Sequence, residues 1–367
     1  MKWEKAKLKD LVTMKYGKMP NKQDIVEEGY PIYSGYRITS FHKEYLFKEP
    51  QLIIVARGVG GTGDVKISPP FCYLTNLSIA LLTNNKIVDK YFLKYRLSVQ
   101  NLRSLDSGAA QSQITIGALE QFETTIPPLP TQRKISNILS AYDDLIENNL
   151  KRIKLLEEKA FFNYKLISDN EKKFNEFSID EVCETIGGGT PSTTNRQYWD
   201  EGEIIWFSPT DLTKHNSIVL LDSAKKITQL GLEKSSAKLV PPKSILMTSR
   251  ATIGYFGLIN RTVCTNQGFI NIVPFKEQYR TYILFNLIER KEEIISNANG
   301  STYLEITKGN FRKMKIKIPK NEELLESLES EFSVIFKLIE NLLIQNTKLR
   351  EARDILLPRL MNGKIEV

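Results

Sequence analysis

The chain has 367 residues, with 51 Lys+Arg against 43 Asp+Glu, and carries a net charge of +8 at pH 7. That length accommodates two or three domains with separate cores, and the basic surplus suits a polyanionic partner. The three cysteines, Cys72, Cys183 and Cys264, lie far apart, which excludes a disulfide framework and points to a reducing compartment. His42 and His215, the two histidines, pair neither with each other nor with a cysteine, so no zinc site is expected. The opening MKWEKAKLKDL lacks an apolar core, and no run approaches the ~18 apolar residues of a membrane span. A cytoplasmic protein is expected.

Along the chain, the first stretch that suggests chemistry is LIIVARGVGGTGDVKISPPF, residues 52–71. An apolar strand, Leu52–Val55, runs into Gly58-x-Gly60-x-x-Gly63, the spacing of a dinucleotide fingerprint, and Ser68-Pro69-Pro70-Phe71 resembles a catalytic motif of some amino-methyltransferases. Context argues against both. A dinucleotide fingerprint opens a helix whose N-terminus holds the phosphates, whereas here a strand-like segment from Asp64 is stopped by two prolines. The methyltransferase glycine and proline motifs sit on separate strand ends, but Gly63 and Ser68 are nearly adjacent. The glycines instead predict a tight hairpin between two strands.

The chain is written twice. SGAAQSQITIGALEQFETTIP (107–127) aligns without a gap on NGSTYLEITKGNFRKMKIKIP (299–319) at an offset of 192. Leu145-Ile146-Glu147-Asn148 recurs as Leu338-Ile339-Glu340-Asn341, and LKDLVTMKYGKMP (8–20) resembles IDEVCETIGGGTP (179–191), with Gly17 on Gly188. Arg57 falls on Arg250, each closing an apolar run, and Thr75-Asn76 falls near Thr265-Asn266. The three fingerprint glycines fall on Ala251, Ile253 and Phe256, so a phosphate cradle would not survive in the second copy.

Each copy ends in a helical segment. After Pro127-Pro128-Leu129-Pro130 a helix is predicted from Thr131, with a seam at Ile135, Leu139, Tyr142, Ile146, Asn149, Ile153, Leu156 and Ala160. The second seam reads Leu325, Leu328, Phe332, Ile335, Ile339, Leu342, Asn346, Leu349 and, past Arg353, Leu356. Helices of about 35 residues and about 50 Å are too long to be covered by one small domain, so the stripes are expected to cover each other, antiparallel. One asparagine in each seam, Asn149 and Asn346, either fixes the register or lies solvated at a frayed edge.

Three stretches resemble specificity subunits of Type I restriction-modification systems. LREARDILLPRLMNGKIEV (349–367) resembles their closing signature, PLPTQRKISNILSAYDDLIENNLKRIKLLEE (128–158) their central helix, and IGGGTPSTTNRQYWDEGEIIWFSPTDL (186–212) the opening of a target-recognition domain. The resemblance implies a mixed α/β (α+β) fold with two target-recognition domains separated by an intramolecular antiparallel coiled coil, related by a pseudo-two-fold. The expected domains are 1–128, a central helix 129–168, a second recognition domain 169–319, and a C-terminal helix and tail 320–367. It further implies a non-catalytic chain that binds a split, asymmetric sequence in double-stranded DNA. Two adenine-methylating modification subunits would dock on its helices and restriction subunits would join them. S-adenosylmethionine, ATP and magnesium would then belong to those partners, and none to this chain. A stand-alone DNA-binding regulator with a similar bipartite grip is the alternative.

Candidate DNA contacts follow from loop positions and side-chain chemistry. Arg57 and Arg250 occupy equivalent turns after a strand; Thr252 follows the second. Lys15 and Lys18 flank Gly17, and Thr190, Ser192, Thr193, Thr194 and Asn195 follow Gly189. Gln111 and Gln113 stand opposite Tyr303 and Glu305, a swap suited to unlike base readout. Asn76 and Asn266 are expected to cap turns, and Trp206 to pack in the core.

Overall fold

The computed structural model describes residues 3–58, 61–107, 112–215, 217–300 and 303–367. The chain divides into two compact units, residues 1–145 with 349–367, and residues 146–348.

The first unit contains strands β1 (Glu4–Lys7), β2 (Val12–Tyr16), β3 (Ile25–Val26), β4 (Tyr30–Tyr33), β5 (Ile38–His42), β6 (Leu52–Val55), β7 (Val65–Ile67), β8 (Tyr73–Leu74), β9 (Ser78–Thr83) and β10 (Glu123–Ile126). They form a four-stranded antiparallel sheet β2-β9-β6-β7, a second sheet β3-β5-β4-β8 and a ribbon β1-β10. The continuous apolar run of β6 places it inside its sheet, between β9 and β7, with every residue buried. Asp89 caps the helix Lys90–Ser98 by accepting the Phe92 amide at 2.8 Å, and that helix lays Phe92, Leu93 and Leu97 into the core. The same core takes in Leu360 and Met361, with Leu356, Leu357, Ile365 and Val367 packed against it. Arg96 fastens this tail: it donates to the Met361 carbonyl at 2.7 Å and to the hydroxyls of Thr124 and Thr125.

The second unit contains β11 (Phe174–Ser178), β12 (Cys183–Gly187), β13 (Ile204–Phe207), β14 (Lys225–Ile227), β15 (Ile245–Thr248), β16 (Phe256–Leu258), β17 (Cys264–Thr265), β18 (Phe269–Pro274) and β19 (Lys315–Pro319). Its sheets are β12-β18-β15-β16, β14-β13-β17 and the ribbon β11-β19. The four-stranded antiparallel sheet and the ribbon repeat those of the first unit, as do the short parallel pairs β4–β8 and β13–β17, whereas β3 has no counterpart among the described residues of the second unit. The recurring Ile-Thr has a structural cause. Ile114 and Ile306 are buried, while Thr115 and Thr307 cap the helices Ile116–Glu120 and Lys308–Lys313.

The long helices run Leu129–Asn170 and Glu322–Met361, the first beginning two residues before the expected Thr131. Proline fits the first turn, where its missing N–H is not needed. Both helices contribute to both units, and in each unit their segments run antiparallel. In the second, Asn149 faces Asn346 and Lys159 pairs with Glu331; in the first, Asp143 pairs with Arg353. The seam positions Ile135, Leu139, Ile146, Asn149, Ile153 and Ala160, and Leu325, Leu328, Phe332, Ile335, Ile339, Leu342 and Asn346, are buried. Tyr142, Leu156 and Leu349 are half-buried. The stripes do not cover each other alone. Phe285, on the domain helix Arg280–Glu289, meets Phe161 and Phe332 at ring separations of 5.7 Å, and Tyr164 meets Tyr282 at 5.2 Å.

Of the two readings for the seam asparagines, the buried one holds. Asn149 Nδ2 donates to Asn346 Oδ1 at 3.0 Å, and Asn346 Nδ2 reaches the Ile146 carbonyl at 3.5 Å. An amide pair in an apolar seam is satisfied only in one alignment, because a shift along either helix leaves each opposite hydrocarbon. Asn149→Ala strands the Asn346 amide and should cost about 1–3 kcal/mol in equilibrium denaturation. Replacing both by Leu should recover that loss.

Asp143 ties the helices to the first domain, accepting from Lys94 Nζ at 2.7 Å, Tyr95 Oη at 2.6 Å and Arg353 at 2.6 Å. Burial pushes its carboxyl up, but these three donors outweigh burial and hold it below its ordinary 3.8. A depressed carboxyl stabilises the fold above its unfolded pKa and loses that contribution as the pH falls through the folded value. Asp143→Asn should therefore lower the melting temperature at neutral pH. The difference from the parent should shrink below about pH 4, as differential scanning fluorimetry across pH would record.

Candidate nucleic-acid interface

In each unit the antiparallel sheet brings two strand ends to one place. Tyr16 of β2 and Val55 of β6 both face the start of β9, at Ile79 and Ser78. Gly187 of β12 and Thr248 of β15 face the start of β18, at Ile270 and Phe269. Lys15 and Lys18 thus share an edge with Arg57, and Thr190 shares one with Arg250.

A third segment closes each edge. Arg57 forms an isolated bridge with Gln113, and Arg250 forms the equivalent bridge with Glu305. The neighbouring bonds repeat too: Ile114 N–H donates to the Ala56 carbonyl and Ile306 N–H to Ser249, both at 2.9 Å. Arg57 and Arg250 are exposed, and Arg250 Nε lies 3.8 Å from the Glu305 carboxylate. Gln113 is half-buried, and its backbone N–H donates to the Asp106 carboxylate at 2.7 Å. Gln111 lies outside the described residues.

The matched glycines Gly17 and Gly188 are where backbone crosses backbone. A Cβ at Gly17 would come within 2.2 Å of the Thr75 carbonyl oxygen, and one at Gly188 within 2.0 Å of the Asn266 oxygen. Lys18 N–H then donates to Leu74 and Gly189 N–H to Thr265, each at 2.9 Å.

Of the fingerprint glycines, Gly58 makes room for a ring, together with the neighbouring Gly61, while Gly63 faces Arg103 and Ile114. Cβ atoms at Gly58 and Gly61 would each meet Tyr36 at 2.3 Å, and Tyr36 Oη donates to the Arg57 carbonyl at 3.0 Å. Gly58 and Gly63 adopt φ of +134° and +90°, which a side chain would resist; Gly60 lies outside the described residues. The hairpin is looser than expected, with nine residues, 56–64, between β6 and β7.

The polar loop after Gly189 is braced by two tryptophans. Trp206, buried as expected, donates to the Gly189 carbonyl at 2.9 Å; Trp199 donates to Ser192 at 3.0 Å, and the rings meet edge to face at 5.1 Å. Ser192 and Thr193 are exposed, and the Ser192 and Thr194 hydroxyls share a hydrogen bond of 2.9 Å. Two candidates here have internal duties. Asn195 Oδ1 accepts the Gln197 amide at 3.1 Å, capping a short turn, and the Thr190 hydroxyl donates to Gln267. Thr252 and Tyr303 are exposed. Asn266 caps a turn as expected, accepting from Gly268 N–H at 2.9 Å.

Three residues at these edges escaped the sequence reading. Tyr16 Oη accepts the Ile116 amide at 3.2 Å. In the second unit Gly187 replaces that tyrosine, and Lys308, aligned with Ile116, lays its side chain over the space, Nζ 3.4 Å from where a Gly187 Cβ would be. Lys225 stands 5.5 Å above the Trp199 ring. The Ile116-to-Lys308 exchange was visible in the aligned repeat, as an apolar residue traded for a cation.

Burial pushes the Cys183 and Cys264 thiols up to about 12 and about 11, and raises Cys72. Among the described residues no cluster of His, Cys, Asp and Glu is placed to hold a metal ion. No described helix is long and apolar enough to cross a membrane.

Gly188→Ala should destabilise the second unit by about 1–3 kcal/mol through the forced shift of β17, seen as a lower denaturation midpoint. Gly117→Ala, with nothing within 4 Å of its Cβ, should leave the midpoint unchanged or raised.

Comparison with known proteins places this geometry. Residues 1–158 and 171–353 match the family described as Type I restriction modification DNA specificity domain. The chain is 33% identical over 177 residues, 48% of its length and 40% of the relative's, to the Type I restriction enzyme MjaIX specificity subunit of Methanocaldococcus jannaschii. It is 25% identical over 323 residues to the putative MjaX specificity subunit of the same organism, covering 81% of this chain and 73% of that one. The match thus spans less than half the first relative and about three-quarters of the second. A crystal structure of the Type-I restriction-modification system S subunit from M. genitalium has the same fold, with a TM-score of 0.67 at 17% identity over 98% of this chain and 96% of that one. With two family domains covering nearly all its residues, the chain belongs to the Type I restriction-modification DNA specificity family.

Proposed function

We propose that the chain is the non-catalytic specificity subunit of a Type I restriction-modification complex. Each unit would read one half of a split, asymmetric sequence in double-stranded DNA, and the paired helices would set the gap and seat the other subunits. One observation carries this reading: the same sheet end occurs twice, with an exposed arginine at the same post and different chemistry around it. Arginine in a loop suits a guanine edge or a phosphate, and Lys15, Lys18 and Lys308 suit phosphates. Unlike surroundings on one scaffold suit two unlike half-sites.

Two modification subunits on the helices would supply the adenine-methylating chemistry, and restriction subunits would add cleavage. S-adenosylmethionine, ATP and magnesium would then be held by those subunits in the cytoplasm, with this chain binding none of them.

The test is to map methylated bases in DNA exposed to this chain together with its modification subunit. A two-part motif with a fixed spacer is expected. Replacing residues 1–127 by the corresponding domain of another such subunit should change one half of the motif and leave the other. Change in both halves would overturn the modular reading, and tight sequence-specific binding by the isolated chain with no gain from the modification subunit would favour a stand-alone regulator.

A further inference from the structure

Among the differences between the two sheet ends is an exchange at a shared post. Gln113 bridges Arg57 where Glu305 bridges Arg250, with the same flanking bonds from Ile114 and Ile306. The Arg250 and Glu305 side chains are 50% and 41% exposed, and their 3.8 Å separation exceeds a hydrogen bond. Both therefore keep donor and acceptor capacity for an outside ligand.

The chemistry of the exchange is specific. A glutamine amide donates and accepts, whereas a glutamate carboxylate only accepts. On a major-groove edge the amide matches adenine N6 and N7, and the carboxylate matches the exocyclic amino group of cytosine. A carboxylate beside a duplex is repelled by phosphates, so it suits this post only where a base amino group meets it. We propose that Glu305 is a specificity-determining residue that accepts a hydrogen bond from a base amino group, cytosine N4, in one half-site. Arg250 stands beside it on a guanine or phosphate, and Gln113 holds the equivalent post for the other half-site. This rests on the DNA-reading role above and assigns one residue that makes the halves unlike.

The experiment uses the full chain with its modification subunit, methylating DNA that contains every short sequence, with modified sites read by sequencing. Glu305→Gln should lower the preference for the original base pair at one position of one half-site by about tenfold or more, leaving the other half unchanged. Gln113→Glu should make the complementary change in the other half. Both side chains sit on unit surfaces, and having one variant in each unit keeps the test standing if one of them misfolds. An unaltered motif in both variants overturns the proposal. So does a uniform fall in methylation with base preference intact, the result of Glu305 merely bracing Arg250. A parent complex that methylates no split sequence would overturn the function itself, and with it this inference.

Discussion

Water will not tolerate an uncovered apolar stripe on a helix of about 60 Å, and the remainder of the architecture answers that demand. The two long helices meet it by running antiparallel, Ile153 and Ala160 on one and Phe332 and Ile335 on the other. Hydrophobic contact alone is nearly indifferent to a slide of one heptad. The amide pair Asn149–Asn346 removes that indifference, since each asparagine has its partner in one alignment only. Charged clasps work in the same sense: Asp143 gathers Lys94, Tyr95 and Arg353, and buried Glu329 accepts from Arg280 and Thr281. Such groups add little net stability compared with hydrocarbon of equal volume, and much specificity of alignment.

The architecture was legible in the sequence to the extent that it is local or repeated. Heptad periodicity gives the helices, and the unbroken offset between residues 107–127 and 299–319 gives the duplication, because capping threonines and buried isoleucines are demanded by the chain's immediate neighbours. Gly17 and Gly188 were legible as positions, but their cause, a carbonyl of another strand some 60 to 80 residues away, is not local. The middle of the domains was not legible. Between β13 and β15 the second unit inserts residues 208–244, where the first has only 34–51 between β4 and β6. The order of the four-stranded antiparallel sheet survives beneath sequences that no longer align.

The candidate site divides along the same line. Arg57 and Arg250 could be picked out because each ends an apolar run. Their bridging partners Gln113 and Glu305 are brought to them by tertiary folding, which side-chain identity alone does not announce. The dinucleotide-like stretch shows the converse: Gly58, in a spacing that suggests phosphate binding, makes room for Tyr36 instead. Glycine spacing records where backbone or a ring must come close, and the occupant of the vacated volume is set elsewhere in the chain.

The tail makes order of synthesis matter. Leu360 and Met361 belong to a core whose other members begin at Leu8, so a growing polypeptide makes the first unit's β-sheets long before it makes the residues that seal them. Until then that unit exposes the hydrocarbon that Leu356, Leu357, Leu360 and Met361 later cover, and the Arg96 guanidinium lacks its Met361 carbonyl. Residues 146–348, by contrast, form one continuous stretch and can close their core without waiting for the tail. The half synthesised first is therefore the half that finishes last.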